Sequence, residues 1–327
     1  MSSPTEHSSS VPSPLISVVI PAYNEAAVLA ESHRRLAAAI DSMPYAFEFI
    51  YVNDGSSDET NSIIHALHAQ DPRVALVNLS RNFGKEVAMT AGLEHAGGDA
   101  VVIIDADLQD PPELIPALVD KWREGFDVVY ATRRKRLGET WLKKTTAALF
   151  YRLMLNISRI QIPRDTGDFR ILSRRAAQAV TQFREQHRFM KGLFAWVGFR
   201  QTSITYDRDP RHGGETKWNY WQLWNFALEG ITSFTVAPLK ISTYLGIVTA
   251  AGAFVYGVII ILKTLIYGAD MPGYPSLMVV ILFLGGIQLI GLGIIGEYLG
   301  RTFNEAKNRP LYFVEEYLPS RSARPQD

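Results

Sequence analysis

The sequence predicts an α/β domain with a mainly parallel sheet, followed by two transmembrane α-helices. Three observations carry this. From Leu15 to Ala131, short apolar runs rich in β-branched residues alternate with helix-periodic segments. Polar clusters follow several of these runs, at the strand ends where ligands bind in parallel sheets. Further on, Ile241–Leu262 and Met271–Gly296 contain no charged residue, and each is long enough for the roughly 20 residues that a membrane helix needs.

The bulk numbers set limits. The 327 residues suffice for one large or two ordinary domains. Lys plus Arg equals Asp plus Glu at 33 each, which argues against nucleic acid as a partner. There is no Cys, so disulfide and thiolate chemistry are excluded.

In chain order, residues 1–14 are Ser/Pro-rich and predict a disordered tail. They have neither a basic start nor an apolar stretch, so they do not read as a secretory signal. The expectation is that the following domain stays in the cytosol. Leu15–Ile20 reads as a strand ending at Pro21. Glu25–Asp41 reads as a helix with Leu29, Leu36 and Ile40 on one face. Phe47–Val52 is a strand ending at Asn53-Asp54-Gly55. Ser57 or Asp58 can cap the next helix, which carries Ile63, Ile64 and Leu67. Val74–Leu79 is a strand, Gly84–His95 a helix, Asp99–Asp105 a strand, Pro112–Glu124 a helix and Asp127–Ala131 a fifth strand. The first strand is not followed by GxGxxG, which disfavours a dinucleotide fold.

Within Val101–Pro112, Asp105, Asp107 and Gln109 stand two apart. Alternation in an extended chain would aim them at one point. Oxygen donors so placed suit Mg²⁺ or Mn²⁺ that also holds phosphates. The plain alternative is a strand end with solvated carboxylates.

After the fifth strand, Arg133-Arg134-Lys135-Arg136 is a phosphate contact or a solvated loop. Trp141–Ile160 is a surface helix or a basic amphipathic helix in the membrane interface. Arg164–Arg170 reads as a tight loop. Ser173–Phe183 and Phe189–Val197 read as helices, and Phe199–Tyr206 as an edge strand. Arg211–Trp218 places Arg211 and Lys217 around a Gly pair, either a phosphate clamp or a surface loop. Asn219–Phe234 is dense in Tyr and Trp, which favour the bilayer interface.

Lys240 precedes the first apolar span, and Arg301, Lys307 and Arg309 follow the second. The positive-inside rule then puts both termini in the cytosol and the short loop outside, with Lys263 as a mild counter-signal. Gln288 is the one strongly polar side chain within the spans. A pump or pore usually needs ionisable groups there, so the spans read as an anchor. Gly285, Gly286, Gly291, Gly293 and Gly296 permit close helix packing or a homo-oligomer.

The ordered set VVIPAYNEA, YVNDGSSDET, LSRNFGKEVAMTAGL, DADLQDPPE, DTGDFRILSRR and RHGGETKW resembles the family-2 glycosyltransferases of the GT-A, Rossmann-like fold. It resembles more closely the polyprenyl-phosphate glycosyltransferases, which include dolichol-phosphate mannose synthase and the GtrB-like bactoprenol glucosyltransferases. The two C-terminal spans match the GtrB-like branch. The resemblance divides the chain into a tail (1–14), a cytosolic GT-A domain (15–217), an interfacial aromatic region (218–240), spans at 241–266 and 274–297, and a cytosolic tail (298–327). It implies that Pro21, Tyr23, Glu25, Val52, Asp54, Asp105 and Ala106 hold a nucleotide sugar. It implies that Asp107 and Gln109 hold Mg²⁺ or Mn²⁺, that Arg133, Arg211 and Lys217 bind donor or acceptor phosphates, and that Asp168 is the catalytic carboxylate. Lys85 receives no role from its chemistry, and Trp218 stands where many relatives have Tyr.

The implied reaction moves a hexose, glucose first among them, from a UDP-sugar to the phosphate of a membrane polyprenol such as undecaprenyl phosphate. It is metal-dependent, inverts the anomeric carbon and runs on the cytosolic leaflet, with a bacterial plasma membrane as the expected location. Asp168 is either a base or a positioning group. Alternatives are transfer from GDP-mannose, a processive polysaccharide synthase and a non-catalytic nucleotide-sugar scaffold. The processive synthase would need more spans and a QxxRW-like motif, which Gln186-His187-Arg188-Phe189 does not supply.

Overall fold

The computed structural model describes residues 13–133, 166–186, 188–206, 236–268 and 273–321. Its first unit is a sheet domain of eight described strands. In chain order these are β1 (Leu15–Ala22), β2 (Ala46–Asn53), β3 (Val74–Leu79), β4 (Ala100–Ile103), β5 (Val128–Arg133), β6 (Thr166–Ser173), β7 (Gln201–Tyr206) and β8 (Val314–Leu318). Across the sheet the order is β7-β5-β6-β4-β1-β2-β3-β8. The pairs β4–β1, β1–β2, β2–β3 and β5–β7 are parallel, while β6 and β8 run antiparallel to their neighbours.

Every residue of β1 is buried, because helices cover both faces of the sheet. On one face Ile16, Val18, Ile20, Phe49 and Tyr51 meet Leu29, Leu36 and Ile40 of α1 (Leu29–Ile40), Ile64 of α2 (Thr60–Gln70), and Ile115 and Leu118 of α4 (Ile115–Arg123). On the other face α3 (Lys85–His95) lies directly on β1 and β2. A Cβ added at Gly92 of α3 would stand 2.2 Å from Val19 Cγ1, so only glycine permits this approach. Two short helices follow β6, α5 (Arg174–Thr181) and α6 (Met190–Trp196). Ser173 caps α5 by accepting the Ala176 N–H.

Element ends differ from expectation where loops claim residues. Strand β1 runs past Pro21 to Ala22. The proline's missing N–H falls on the β4 side, beyond the last paired residue of β4, Ile103. Helix α1 begins at Leu29, not Glu25, because Asn24 takes a left-handed backbone (φ 55°) and 25–28 form a turn. The Pro112 segment opens as a 3-10 turn (Pro112–Leu114) before α4.

Two readings are corrected. Arg164–Arg170 was expected as a tight loop, yet its described part begins β6, which lies inside the sheet between β4 and β5. The charges that suggested a loop are accommodated individually. Asp168 lies near the start of the strand, while Arg170 is buried, donates to the Gly167 and Asp168 carbonyls and stacks 4.0 Å over Phe194. Residues 298–327 were expected as a tail. Instead β8 covers the edge of β3, with Glu316 paired to His65 at 3.1 Å and Tyr317 against the His95 ring. Its two acids disguised the strand, and both find partners on β3 or α2, because Glu315 accepts from Asn78.

The second unit contains α7 (Ala237–Tyr267) and α8 (Tyr274–Ala306). Each includes 30 residues long and apolar enough to cross a membrane, Pro238–Tyr267 and Leu277–Ala306. The two helices pack closely where Gly291 faces Ser242, whose Oγ would lie 3.1 Å from an added Cβ. Their apolar side chains are largely exposed, Leu265 at 78% and Leu289 at 71%, as a lipid-facing surface requires.

Candidate active site

The carboxyl ends of β1, β2 and β4 open on a cleft of about 300 Å³. Its walls are loops stitched to one another. Asn24 Oδ1 accepts the Ser57 N–H at 2.8 Å, Ser56 Oγ accepts the Asn24 N–H, Asp58 accepts the Ala26 N–H and Thr60 Oγ1 accepts the Glu25 N–H. The loop after β1 is thereby bonded to the loop after β2. Asp54 then joins the loop after β2 to the start of α3, accepting the Phe83 N–H at 2.7 Å and the Gly84 N–H at 3.0 Å. Burial pushes the Asp54 carboxyl up, and those two N–H groups pull against it. Gly55 (φ 63°) is required here, since a Cβ would lie 2.4 Å from the Arg81 and Asn82 backbone.

The antiparallel β4–β6 register pairs Ile103 with Arg170. Continued by two residues, it sets Asp105 opposite Asp168. Lys85, the first residue of α3, reaches both, with Nζ 2.7 Å from Asp105 and 2.6 Å from Asp168. Burial opposes the Lys85 ammonium, but the two carboxylates outweigh it and hold its pKa above the ordinary lysine range. Burial also opposes the Asp168 anion, but Lys85, then Lys191 and Arg170, hold its carboxyl well below the usual carboxylate range. Asp105 is pushed up, by burial first and by Asp168 as well, against the pull of Lys85. Burial and the nearby Asp168 push Glu86 up to about 7, and its carboxylate accepts the Met190 N–H at the start of α6.

The loop after β4 departs from simple alternation. Leu108 has a left-handed backbone (φ 59°), a conformation that costs a side-chain-bearing residue about 1–2 kcal/mol. Asp105, Ala106 and Asp107 line the cleft, while Gln109 is buried outside its lining, its Nε2 without a hydrogen-bond partner among the described residues. Asp107 Oδ1 accepts the Gln109 N–H at 3.0 Å, and the Tyr206 hydroxyl on β7 donates to Asp110, which fixes the far end of the loop.

Of the residues expected to hold a nucleotide sugar, Pro21, Tyr23, Glu25, Asp54, Asp105 and Ala106 line one cleft, and so does Asp107. Val52 does not. It is fully buried within β2, opposite Pro21 in register. Asp168 is joined to the cleft through Lys85. Arg133 ends β5. Arg211, Lys217, the Trp141–Ile160 helix and the Asn219–Phe234 segment lie outside the described residues. Sequence reasoning named Lys85 without giving it a role and missed Glu86. The available signal was position, since a helix entered from a parallel strand's carboxyl end starts on the ligand edge of the sheet.

A mainly parallel α/β sheet, an acidic cleft at its strand ends and an appended pair of apolar helices together define the class. Residues 17–181 match the model for glycosyl transferase family 2, and residues 237–302 match that of the GtrB C-terminal hairpin. The chain belongs to glycosyl transferase family 2 and is a glycosyltransferase. It is similar to an uncharacterized glycosyltransferase of Synechocystis, with 55% identity over 93% of this chain and 97% of that one. It is also similar to the prophage bactoprenol glucosyl transferase homolog of Escherichia coli K12 (48%; 92% and 98%) and the bactoprenol glucosyl transferase of Shigella phage SfII (47%; 92% and 97%). Among solved structures, mannosyl-3-phosphoglycerate synthase from Rubrobacter xylanophilus has 20% identity and a TM-score of 0.46 over 66% of this chain and 71% of that one. That likeness is too distant to inform the site.

Proposed function

We propose that the protein transfers glucose from UDP-glucose to the phosphate of a membrane polyprenol. The observation that carries this is similarity along nearly the whole length to proteins named bactoprenol glucosyl transferases, including the helical hairpin. In the reaction an acceptor phosphate oxygen bonds to the anomeric carbon of glucose, the bond from that carbon to UDP breaks, and UDP departs with the electron pair. A single displacement of this kind inverts the carbon.

Both reactants are anionic, so the site must neutralise charge as it moves. The cleft supplies the loop walls for the nucleoside, with Tyr23 half-exposed at its mouth. Asp105 orients the donor and Asp168 positions the reacting groups. The donor set fits a divalent cation. Asp105 and Asp107 bring hard carboxylate oxygens to the cleft, and among the described residues no third His, Cys, Asp or Glu joins them. Mg²⁺ and Mn²⁺ are commonly held this way, by one or two carboxylates plus substrate phosphates. Asp107, with Gln109 behind it, would hold the ion, which when bound screens the diphosphate and eases its departure. Arg133, Arg211 and Lys217 are assigned to the donor and acceptor phosphates on their sequence positions.

The catalytic domain is proposed to face the cytosol. Strand β8 follows α8 and pairs with β3, in the same sheet that precedes α7. A hairpin that crosses and returns agrees with this pairing, and the Arg301, Lys307 and Arg309 cluster supports the cytosolic assignment.

The test incubates the purified full-length protein with undecaprenyl phosphate and a panel of labelled nucleotide sugars. Label should enter the lipid from UDP-glucose, and chelation with EDTA should stop it. Asp107→Ala should lose metal-dependent UDP binding, read by calorimetry, while keeping its thermal transition. Label entering only from another sugar, or a rate indifferent to EDTA, would overturn the corresponding part of the reading.

A further inference from the structure

Lys85 touches both ends of the candidate site. It opens α3 immediately after Gly84, whose N–H is anchored by Asp54, so its backbone is held by the same loops that build the cleft. Lys85 and Asp105 line the cleft, whereas Asp168 does not, so the ammonium is the link between them. An ammonium has three donors. Two are directed to carboxylates, and the side chain still keeps 45% of its surface exposed.

We propose that Lys85 is the positioning residue of this glycosyltransferase. Its ammonium ties Asp168 to Asp105 and fixes the two carboxylates in the geometry that the β4–β6 register brings together. This rests on reading the cleft as the transfer site.

The groups facing Asp168 show why Lys85 is needed. From α3 come Lys85 and Glu86, from the end of β4 comes Asp105, from its own strand Arg170, and from α6 Lys191. Arg170 directs its described hydrogen bonds to the Gly167 and Asp168 carbonyls, leaving the Asp168 carboxylate to others. Asp168 Oδ1 is buried without a hydrogen-bond partner among the described residues, so the bond from Lys85 to Oδ2 is the direct one. Removing the ammonium would leave the largely buried Asp168 near two acids, Asp105 and Glu86, with its one described direct hydrogen bond gone. Such a carboxyl takes up a proton more readily, and two like charges push each other further in that direction.

The test compares Lys85→Met, which keeps the stem and removes the charge, with Lys85→Arg, which restores a cation. Full-length protein in detergent is labelled with ¹³C-aspartate and titrated by infrared spectroscopy, with Asp168→Asn assigning the band. In the wild type the Asp168 band should stay ionised down to the lowest pH at which the protein is folded. In Lys85→Met it should take up a proton at about 4 or above, the ordinary aspartate value. Lys85→Arg should move it back. In glucose transfer, Lys85→Met should lose on the order of 100-fold in kcat with KM for UDP-glucose little changed. That loss should persist across neutral pH, where Asp168 is ionised in both proteins, and Lys85→Arg should recover part of the rate. An unmoved Asp168 band in Lys85→Met, or a loss confined to KM, would overturn the proposal. If Lys85→Met does not fold, Lys85→Gln serves with the same readouts. The infrared titration needs no turnover, so a wild type inactive with UDP-glucose would sink the transfer reading and leave the Lys85 proposal to be decided by the band alone.

Discussion

Glu86 is an acid of this site whose charge state changes near neutral pH. Its carboxyl is pushed from 4.5 up to about 7, by burial first and by the Asp168 anion second. An acid with a raised folded-state value leaves folding unopposed while both states hold the proton, and opposes it once the unfolded chain ionises more readily than the folded one. The opposition is absent below about 4.5 and grows until pH has climbed through about 7. Thermal unfolding of the full-length protein should therefore show stability falling between these values, and Glu86→Gln should remove that component of the slope. An identical slope in the variant would show that another group titrates there. Glu86 also explains why part of the site was legible and part was not. Asp105 and Asp107 are two apart in sequence and follow a recognisable strand, so they can be read together. Lys85, Glu86 and Asp168 meet only after β6 inserts beside β4 and α3 lies across β1, and no local spacing encodes that meeting. Gln109 is placed differently from what its spacing suggests. Its spacing fits an extended chain, and the left-handed turn at Leu108 breaks the extension.

Helix α3 carries Lys85 and Glu86, and the closeness of its packing fixes where they stand. Gly92 sets that closeness, with Val19 Cγ1 and Val52 Cγ2 filling the space that a side chain would take. Gly92→Ala gains helix propensity, worth about 1 kcal/mol, but must displace buried β-branched side chains on two strands. Overpacking of this kind costs about 1–3 kcal/mol, so the clash should win. The expected result is a lower denaturation midpoint, with reduced turnover because Lys85 moves with its helix. A midpoint equal to or above the wild type would mean that the helix shifts without cost. Val52, expected at the ligand, thus has a describable job as the surface on which α3 rests. The alternating strand and helix units were legible because each is a short apolar run ending in a polar turn. Strands β6 and β8 were not, because Asp168, Arg170, Glu315 and Glu316 give them a loop-like composition. Their strand character comes from neighbours, β4 and β5 for one and β3 for the other.

The connection of β8 to β3 constrains how the chain can cross a membrane. Two apolar helices separate strands β1–β7 from β8, and all eight strands share one sheet. An even number of crossings satisfies this and a single crossing cannot, so α7 and α8 either both span or neither does. The exposed apolar surface along both helices favours spanning, since bare hydrocarbon of that extent is stable only in lipid. On the proposed topology, the segment between α7 and α8 is expected outside the cell. The absence of Cys makes this directly measurable, because any introduced thiol is the sole target in the chain. Gly273→Cys, at the start of α8, should react with a membrane-impermeant maleimide added to intact cells. Arg321→Cys, just past β8, should react only after the membrane is opened. Labelling of Arg321→Cys in intact cells would place the sheet outside and remove access to cytosolic nucleotide sugar. Labelling of neither before lysis and both after it would deny the crossing, and with it the membrane acceptor on which the proposed reaction depends.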